Sequence, residues 1–350
     1  MPASPDPDLP VRAAKECVEL YARAADQILA TVARRLARGI TSPGWSEAKL
    51  IETGALRNEA QAVLDQLQAD TPATVEQGLT TAYEQGARDA AKDLADLTPP
   101  VPRLTNERAV RALVQEATSA LQGTHMRILR STLDVYRSAV WEAGTSSVVT
   151  GMRTRRQAAQ QVLDRFANHG VTGFVDRAGR AWTLESYAEM AVRTSAGRAQ
   201  VSGTLDRFTA AGRDLVIVSD APEECQVCRP WEGRVLSITG TDQRYPSVGA
   251  ATSAGLFHAN CRHALGAYIE GVTRRFTNTA DPEGDAARQE QRRLERGIRG
   301  WKRREAVALD DVAAQRARAK QREWQARLRQ HVDEHDRKRL RYREKTGRAI

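Results

Sequence analysis

The chain has 350 residues, of which 41% are hydrophobic and 28% charged, a composition typical of a soluble protein with one to three domains. No apolar run approaches the roughly 18 residues that a bilayer-spanning helix requires, which argues against an integral membrane protein. The N-terminal residues lack a basic segment followed by an apolar one, so secretion through a signal peptide is not expected. Four cysteines are too few for a disulfide scaffold.

The net charge of +9 is concentrated at one end of the chain. Residues 281–350 carry 21 Lys and Arg against 13 Asp and Glu, a net charge of +8. The remaining residues carry 32 basic and 31 acidic side chains. A basic tail of this kind indicates a polyanionic partner, most often nucleic acid. The alternative is a solvated helix whose charges pair with one another at i,i+4 spacing.

The first hundred residues show the apolar periodicity of helices. The first of these is predicted to end at Gly39, and the second covers 46–67. Asp70-Thr71-Pro72 has the features of a helix start and is predicted to open a third. The proline-rich stretch at 98–102 is predicted to be a stiff linker.

Helical periodicity resumes after the linker. One helix is predicted to end at Gly123, and others cover 126–149 and 154–169. The pattern then changes: residues 173–182 are predicted to form a β-hairpin with Gly179 at positive φ. Thr183 is predicted to cap a helix that ends at Gly212, and the β-branched run at 215–219 to form a buried strand.

Two short pairs of soft metal ligands follow that strand. Cys225-x2-Cys228 and His258-x2-Cys261 are separated by 29 residues, the arrangement of a tetrahedral zinc site closed by two knuckles. The predicted structural zinc ligands are therefore Cys225, Cys228, His258 and Cys261. His263 lies two residues further on and is an alternative fourth ligand.

Other interpretations of this cluster remain open. The cysteines could be reduced and metal-free, shaping a turn, or Cys225 and Cys228 could form a redox pair. A catalytic metal would need an open coordination position and a general base. Asp220, Glu224 and Glu232 are the nearby carboxylates, but they form no recognisable acid–base set. The alternative function is a metal-dependent nuclease or another DNA-processing enzyme, and no catalytic residue is assigned.

The basic tail contains the residues predicted to contact nucleic acid through phosphate groups. They are Lys302, Arg303, Arg304, Arg337, Lys338, Arg339, Arg341 and Arg343. The tail is predicted to be helical, yet its apolar residues are too sparse to suggest a core of its own.

We therefore predict a mainly α protein with a small α+β domain. The division is a helical N-terminal region (1–98), a second helical region (104–170), a compact zinc-stapled α+β core (171–275) and a basic tail of long polar helices (281–350).

Several motifs in 170–270 resemble those of the phage minor capsid protein 2 family, and more distantly the Mu F-like head-morphogenesis proteins. The carrying segments are 173–182, 186–190 with Arg193-Thr194, 215–220, Cys225-Gln-Val-Cys228-Arg-Pro-Trp-Glu-Gly233 and His258-Ala-Asn-Cys-Arg-His263. The combination is specific because these motifs occur together in one order. Two departures stand out: Ala259 replaces a frequent proline, and His263 replaces the final cysteine of Mu F-type relatives.

The resemblance implies a structural, non-enzymatic role in the head of a tailed phage or prophage. Its partners would be the portal protein and the major capsid or scaffold proteins, with non-specific double-stranded DNA as a further contact and no membrane. The protein would be made in the bacterial cytoplasm during assembly and reside in the virion, in the capsid interior or at the portal vertex. Zinc would replace disulfides in that reducing compartment.

Overall fold

The computed structural model describes residues 8–95, 106–149, 154–169, 174–175, 179, 181–221, 223–273 and 280–347. These residues are mostly helical and include a small three-stranded antiparallel sheet, which confirms the predicted fold class. Within these ranges, no helix is both long and apolar enough to cross a membrane. The predicted linker at 98–102 lies outside the described residues.

The secondary structure alternates long helices with short strands. The helices are α1 (Leu9–Ala37), α2 (Trp45–Ile51), α3 (Thr53–Leu94), α4 (Glu107–Val149), α5 (Arg155–His169), α6 (Leu184–Ala210), α7 (Val248–Ser253), α8 (Pro282–Ala306) and α9 (Asp311–Glu334). The strands are β1 (Phe174–Val175), β2 (Ala181–Trp182), β3 (Leu215–Val218), β4 (Val235–Ser237) and β5 (Leu265–Ala267).

The chain divides into two compact units, each built from three separate stretches. The first unit comprises the described residues of 1–17, 71–120 and 189–288, and the second those of 18–70, 121–188 and 289–350. Every change from one unit to the other occurs inside a helix. The four-segment division predicted from the sequence stays a prediction.

The helix start predicted at Asp70-Thr71-Pro72 is wrong, because α3 continues through Pro72. A proline inside a helix removes one backbone hydrogen bond and costs about 3 kcal/mol. The 42-residue helix tolerates that cost because its buried stripe continues on both sides of the proline. Leu67, Thr71 and Val75 follow one another at helical spacing and are all buried.

The helix end predicted at Gly123 is also wrong, because α4 runs without a break from Glu107 to Val149. Gly123 is exposed, and its backbone is not at positive φ. An exposed glycine inside a helix costs only about 1 kcal/mol relative to alanine. The buried residues Ala117, Leu121 and Ile128 continue the apolar stripe across it, and their burial outweighs that cost.

The hairpin, the next helix and the buried strand are confirmed. β1 and β2 pair antiparallel, with Gly179 between them at φ 78°. The hydroxyl of Thr183 accepts a hydrogen bond from the backbone amide of Ser186, which caps α6. Beyond the end of α6, Gly212 has φ 67°. β3 follows and is almost completely buried.

The three-stranded sheet and the end of α6 form the core of the first unit. β3 lies between β4 and β5 and pairs antiparallel with both. Phe208 of α6 and Val216 and Val218 of β3 are fully buried in one cluster that also contains Cys228. Trp231, Phe257 and Cys261 pack against this cluster. The cysteine region is thus continuous with the hydrophobic core.

The basic tail has a core of its own, contrary to the expectation from its composition. Leu294 and Ile298 of α8 form a buried cluster with Leu328 and Val332 of α9, and Trp324 packs against it. Gly297 permits this contact, since a Cβ there would lie 2.2 Å from the Trp324 ring. The two helices therefore bury an apolar stripe against each other, and α8 also buries the polar side chains of Gln291, Glu295 and Arg303.

A buried ionic network lies in the second unit. Arg303 of α8 donates to the carboxylate of Glu185 and, at 2.7 Å, to that of Asp26. Arg299 donates to Glu185 at 3.2 Å. Burial alone would raise the pKa of Glu185, but the two guanidinium groups outweigh it and hold this pKa at about 2. Glu185 is therefore ionised at neutral pH.

Candidate metal centre

The sheet brings two distant loops of the first unit together. The loop after β3 carries Cys225 and Cys228, and the loop before β5 carries His258, Cys261 and His263. Because β3 and β5 are antiparallel neighbours, Val218 at the end of β3 pairs with Leu265 at the start of β5. The exit of one strand and the entrance of the other therefore meet at one edge, and the two loops converge there.

Each loop bends in a tight turn at its ligand pair. The amide of Cys228 donates to the carbonyl of Cys225 at 3.2 Å, and the amide of Cys261 donates to that of His258 at 2.9 Å. In the second turn, Phe257 and Asn260 have φ values of 60° and 66°. Asparagine tolerates this left-handed conformation, but a bulky residue such as Phe257 adopts it at a cost that the surrounding structure must offset. The turns point the side chains of each pair toward a common point.

The five candidate ligands form two overlapping groups around that point. Cys225, Cys228 and His258 form one group, and Cys228, Cys261 and His263 form the other, with all ligand atoms of a group within 4.8 Å of one another. Cys228 belongs to both groups and is completely buried. The structure thus brings together every residue that the sequence predicted for the metal site, including the alternative fourth ligand.

Each histidine has one ring nitrogen beside a cysteine sulfur and the other held by a hydrogen bond. His258 donates from Nδ1 to the carbonyl of Ala259 at 2.7 Å, which leaves Nε2, 2.8 Å from the sulfur of Cys225, unprotonated in the neutral ring. His263 donates from Nε2 to the carboxylate of Glu232 at 2.8 Å, and its Nδ1 lies 3.4 Å from the sulfur of Cys261. Metal-ligating histidines usually have their second ring nitrogen held in this way.

The protonation of the cysteines favours cation binding at the second group. Chiefly because the thiol of Cys228 donates a hydrogen bond to Cys261, and with a further contribution from His263, the pKa of Cys261 is lowered to about 4. The same hydrogen bond, together with burial, raises the pKa of Cys228. Burial works against protonation of His263, yet its contacts with Cys261 and Glu232 leave its pKa raised. The lowered pKa favours the thiolate of Cys261, the form of cysteine that binds metals.

The distances within the second group fit a zinc ion. Zinc–sulfur bonds of about 2.3 Å and zinc–nitrogen bonds of about 2.0 Å place neighbouring ligand atoms of a tetrahedron roughly 3.5–3.8 Å apart. The sulfur atoms of Cys228 and Cys261 are 3.5 Å apart, and Cys261 and His263 lie 3.4 Å apart. Cys225 and His258 are closer, at a hydrogen-bonding distance of 2.8 Å. All four cysteines are free thiols, so no disulfide competes for these ligands.

Charged residues surround the knuckles and tie them to the start of α8. The fully buried carboxylate of Glu224 accepts a hydrogen bond from Arg229 and a bifurcated one from the backbone amide of Asp281, which lies 3.1 Å from each oxygen. The carboxylate of the preceding residue, Glu223, lies 3.4 Å from both Arg262 and Arg288. Both carboxylates are therefore used in contacts within the protein and do not form a substrate-binding pair.

Glu232 was noted from the sequence only as a nearby carboxylate, and its role as the partner of His263 was missed. Its side chain is 4% exposed, and it also accepts a hydrogen bond from the amide of Ala221 at 3.2 Å. Asp220 lies near this carboxylate, and its pKa is raised by burial and by the charge of Glu232. No sequence signal identified Glu232, since its pairing depends on the sheet register that aligns the two loops.

The residues predicted to contact nucleic acid occupy several different environments. Arg303 is buried in its ion pairs with Glu185 and Asp26, so the role predicted for it does not fit its position. Arg304 donates to the carbonyl of Asp164 and stacks on the ring of Trp301.

Three of the other six bond to the chain's own C-terminal residues, and a fourth bonds to α8. Lys302 donates to the carbonyl of Glu344 at 2.8 Å, and Arg339 makes two bonds of 2.6 Å to its carboxylate. Arg337 donates to Gln291 at 2.7 Å, and Arg343 to the hydroxyl of Tyr342 at 3.3 Å. Of the eight residues predicted for this role, Lys338 and Arg341 are the ones with exposed side chains.

Comparison with known proteins agrees with the motif order. The sequence profile of the family described as phage minor capsid protein 2 matches residues 7–333. The chain belongs to the phage minor capsid protein 2 family. The match includes the sheet, both knuckles and nearly all of α9, and it confirms the family indicated by the sequence motifs.

Two relatives carry the same general description. A structural protein of Lactococcus phage LL-H is 26% identical over 322 residues, which is 83% of this chain and 85% of that protein. A structural protein of Lactococcus phage mv4 is 36% identical over 105 residues, 27% of this chain and 84% of that protein. No solved structure matches the chain.

Proposed function

We propose that this protein is a structural component of a tailed-phage or prophage head, incorporated in the virion and acting in procapsid assembly at or near the portal. The observation that carries the proposal is the family match across residues 7–333. The relative from phage LL-H, described as a structural protein, supports it over most of both chains. The portal protein and the major capsid or scaffold proteins would be the partners, and packaged DNA a further contact.

The cysteine–histidine cluster would serve this role as a structural zinc site. Cys225, Cys228 and Cys261 would supply three ligands, and His258 or His263 the fourth. Four protein ligands close the coordination sphere, which is the arrangement of structural rather than catalytic zinc. Bound zinc would join the loop after β3 to the loop before β5. It would thereby stabilise an edge of the sheet whose strands are only three or four residues long.

A non-enzymatic role is favoured over the nuclease alternative by the state of two of the three nearby carboxylates, the third being the exposed Asp220. Glu224 is bound by Arg229 and the amide of Asp281, and Glu232 by His263 and the amide of Ala221. A general base must reach its substrate or a water molecule, and neither carboxylate is free to do so in this arrangement.

The assembly role is tested in a phage that carries this gene. We expect the protein in purified procapsids and mature virions at a copy number far below that of the major capsid protein. We also expect a deletion to reduce correctly assembled particles, and complementation by the full chain to restore them. Quantitative immunoblotting of gradient-purified particles provides the measurement. Particles that lack the protein and assemble normally without it would contradict the proposal.

Zinc binding is tested by metal analysis of the full chain purified without chelator. We expect about one zinc per chain, lost in Cys228→Ser and retained in Cys17→Ala, which changes a cysteine outside the cluster. His258→Ala and His263→Ala then identify the fourth ligand, because the variant that removes it should lower the zinc content. Absence of zinc from the parent chain would refute the site.

The nuclease alternative has its own test. Plasmid cleavage in the presence of Mg²⁺, abolished in a folded His258→Ala variant, would favour the nuclease instead.

A further inference from the structure

Helix α9 has an unusual imbalance of charge. Residues 312–332 carry six basic side chains and one acidic side chain, Glu323. The other acidic residues of α9 lie in its terminal turns, at Asp311, Asp333 and Glu334. A solvated helix stabilised by its own ion pairs would have the two signs interspersed. The central part of this helix is instead strongly basic. Packing against α8 does not require that excess of positive charge.

The basic residues of α9 lie on two sides of the helix, and these sides differ. On one side, Glu323 contacts Lys320 at 2.8 Å and Arg327 at 2.6 Å, so two of the three basic side chains there share a carboxylate. On the other side, Arg318, Arg322 and Arg329 follow one another at spacings of four and seven residues, which places them in one row. We call these three residues the arginine row.

The arginine row is exposed and weakly paired. All three side chains lie at the surface. Arg318 has one long ion pair, 3.7 Å, with Glu305. Arg322 and Arg329 form no ion pair with any residue in the described part of the chain. This contrasts with Arg303 and Arg339, whose guanidinium groups are used inside the second unit.

The helix that carries the arginine row is fixed in place by packing and by a capping residue. Leu328 and Val332 lie on the buried side of α9, in the cluster shared with α8. Asp310 caps the start of α9, where its carboxylate accepts from the amide of Ala313 at 2.8 Å. The row extends over about 16 Å of helix axis at 1.5 Å per residue. A fixed line of three exposed guanidinium groups, with one long ion pair among them, is complementary to a linear polyanion, since arginine forms strong bidentate bonds to phosphate.

We propose that the arginine row of α9 binds the phosphate backbone of double-stranded DNA without reading its sequence. This inference rests on the DNA contact in the proposed function and assigns it to residues other than those indicated by the basic runs in the sequence. Binding by counterion release makes the affinity fall as salt rises, with a slope of about 0.9 in log–log form for each phosphate neutralised. Three contacts would therefore contribute about 2.7 to that slope.

The test measures binding of the full chain to a fluorescent 30-base-pair duplex at several salt concentrations. A variant with Arg318→Gln, Arg322→Gln and Arg329→Gln should bind more weakly and show a slope smaller by about 2.7. The matched control carries Arg57→Gln, Arg108→Gln and Arg130→Gln, which remove the same charge from exposed positions elsewhere. The control should keep the parental slope. Circular dichroism establishes that each variant retains its helices.

The possible outcomes separate the claims. If the parent chain binds DNA and the salt dependence has the same slope in the row variant and the matched control, the arginine row is not the DNA-binding site. The proposal that the protein contacts DNA would then still hold. A parent chain that does not bind the duplex would overturn both, while the head-assembly proposal is tested independently in particles. Poly-glutamate serves as a stand-in for an acidic protein surface. If the row variant loses binding to poly-glutamate but binds DNA as the parent chain does, the row contacts an acidic protein surface and the inference is overturned.

Discussion

Arg303→Met is expected to lower the free energy of unfolding by about 3–5 kcal/mol. The substitution removes the guanidinium that pairs with both Glu185 and Asp26 and leaves their buried carboxylates close to each other. Arg299 remains beside Glu185 at 3.2 Å, but its charge acts on Asp26 more weakly than that of Arg303 does. Removing one partner of a buried pair costs far more than the pair contributes, because the charge left behind is poorly solvated.

Urea unfolding followed by circular dichroism measures this loss. The matched control is Arg111→Met, which breaks an exposed pair with Glu107 at 3.4 Å on α4. Exposed pairs of this type contribute no more than about 1 kcal/mol, so the control should shift the unfolding midpoint only slightly. If Arg303→Met shifts the midpoint no more than Arg111→Met does, the buried network does not hold the second unit together.

Arg303 also shows where charge counting in a sequence reaches its limit. It lies within the basic run Lys302-Arg303-Arg304, which resembles a surface patch for a polyanion. Its burial depends on Asp26 and Glu185, which are 277 and 118 residues away in sequence. No local pattern contains that information. The exposed arginine row, in contrast, has no consecutive basic residues and so was not recognised as a patch.

The metal site was predictable because its signal is local. The spacing of Cys225 and Cys228, and of His258 and Cys261, determines that each pair can turn toward one ion. The run of β-branched residues at β3 also predicted a strand next to the first pair. The sequence could not show that β4 and β5 flank β3, because each has only three residues. The partnership of His263 with Glu232 depends on that register and remained hidden.

Breaker residues explain the errors in the helices. Pro72 and Gly123 are strong local signals for a helix boundary, yet α3 and α4 continue through them. Their local costs of about 3 and about 1 kcal/mol are outweighed by burial along stripes more than 40 residues long. The tail core was missed for a related reason. Its apolar pairs are visible at i,i+4 spacing in each helix, but their packing across α8 and α9 is a tertiary contact.

Gly86→Ala is expected to destabilise the first unit by about 2–3 kcal/mol, although alanine is the better helix former. A Cβ at Gly86 of α3 would lie 2.1 Å from the backbone carbonyl oxygen of Gln200 in α6. The contact is reciprocal, since a Cβ at Gly203 would lie 2.1 Å from the carbonyl oxygen of Tyr83. Backbone atoms cannot rotate away as side chains do, so the two helices would have to separate. The hydrogen bond from Thr204 to the carbonyl of Gly86, 3.2 Å, would be strained as well.

Gly123→Ala is the matched control and should have the opposite sign. Gly123 also lies inside a long helix, but nothing approaches within 4 Å of a Cβ built there. Alanine should therefore raise stability by about 0.5–1 kcal/mol through helix propensity alone. Thermal and urea midpoints of both variants provide the comparison. A Gly86→Ala variant as stable as Gly123→Ala would show that α3 and α6 do not pack this closely. In the double variant Gly86→Ala/Gly203→Ala, the losses should be less than additive, because one separation of the helices relieves both clashes.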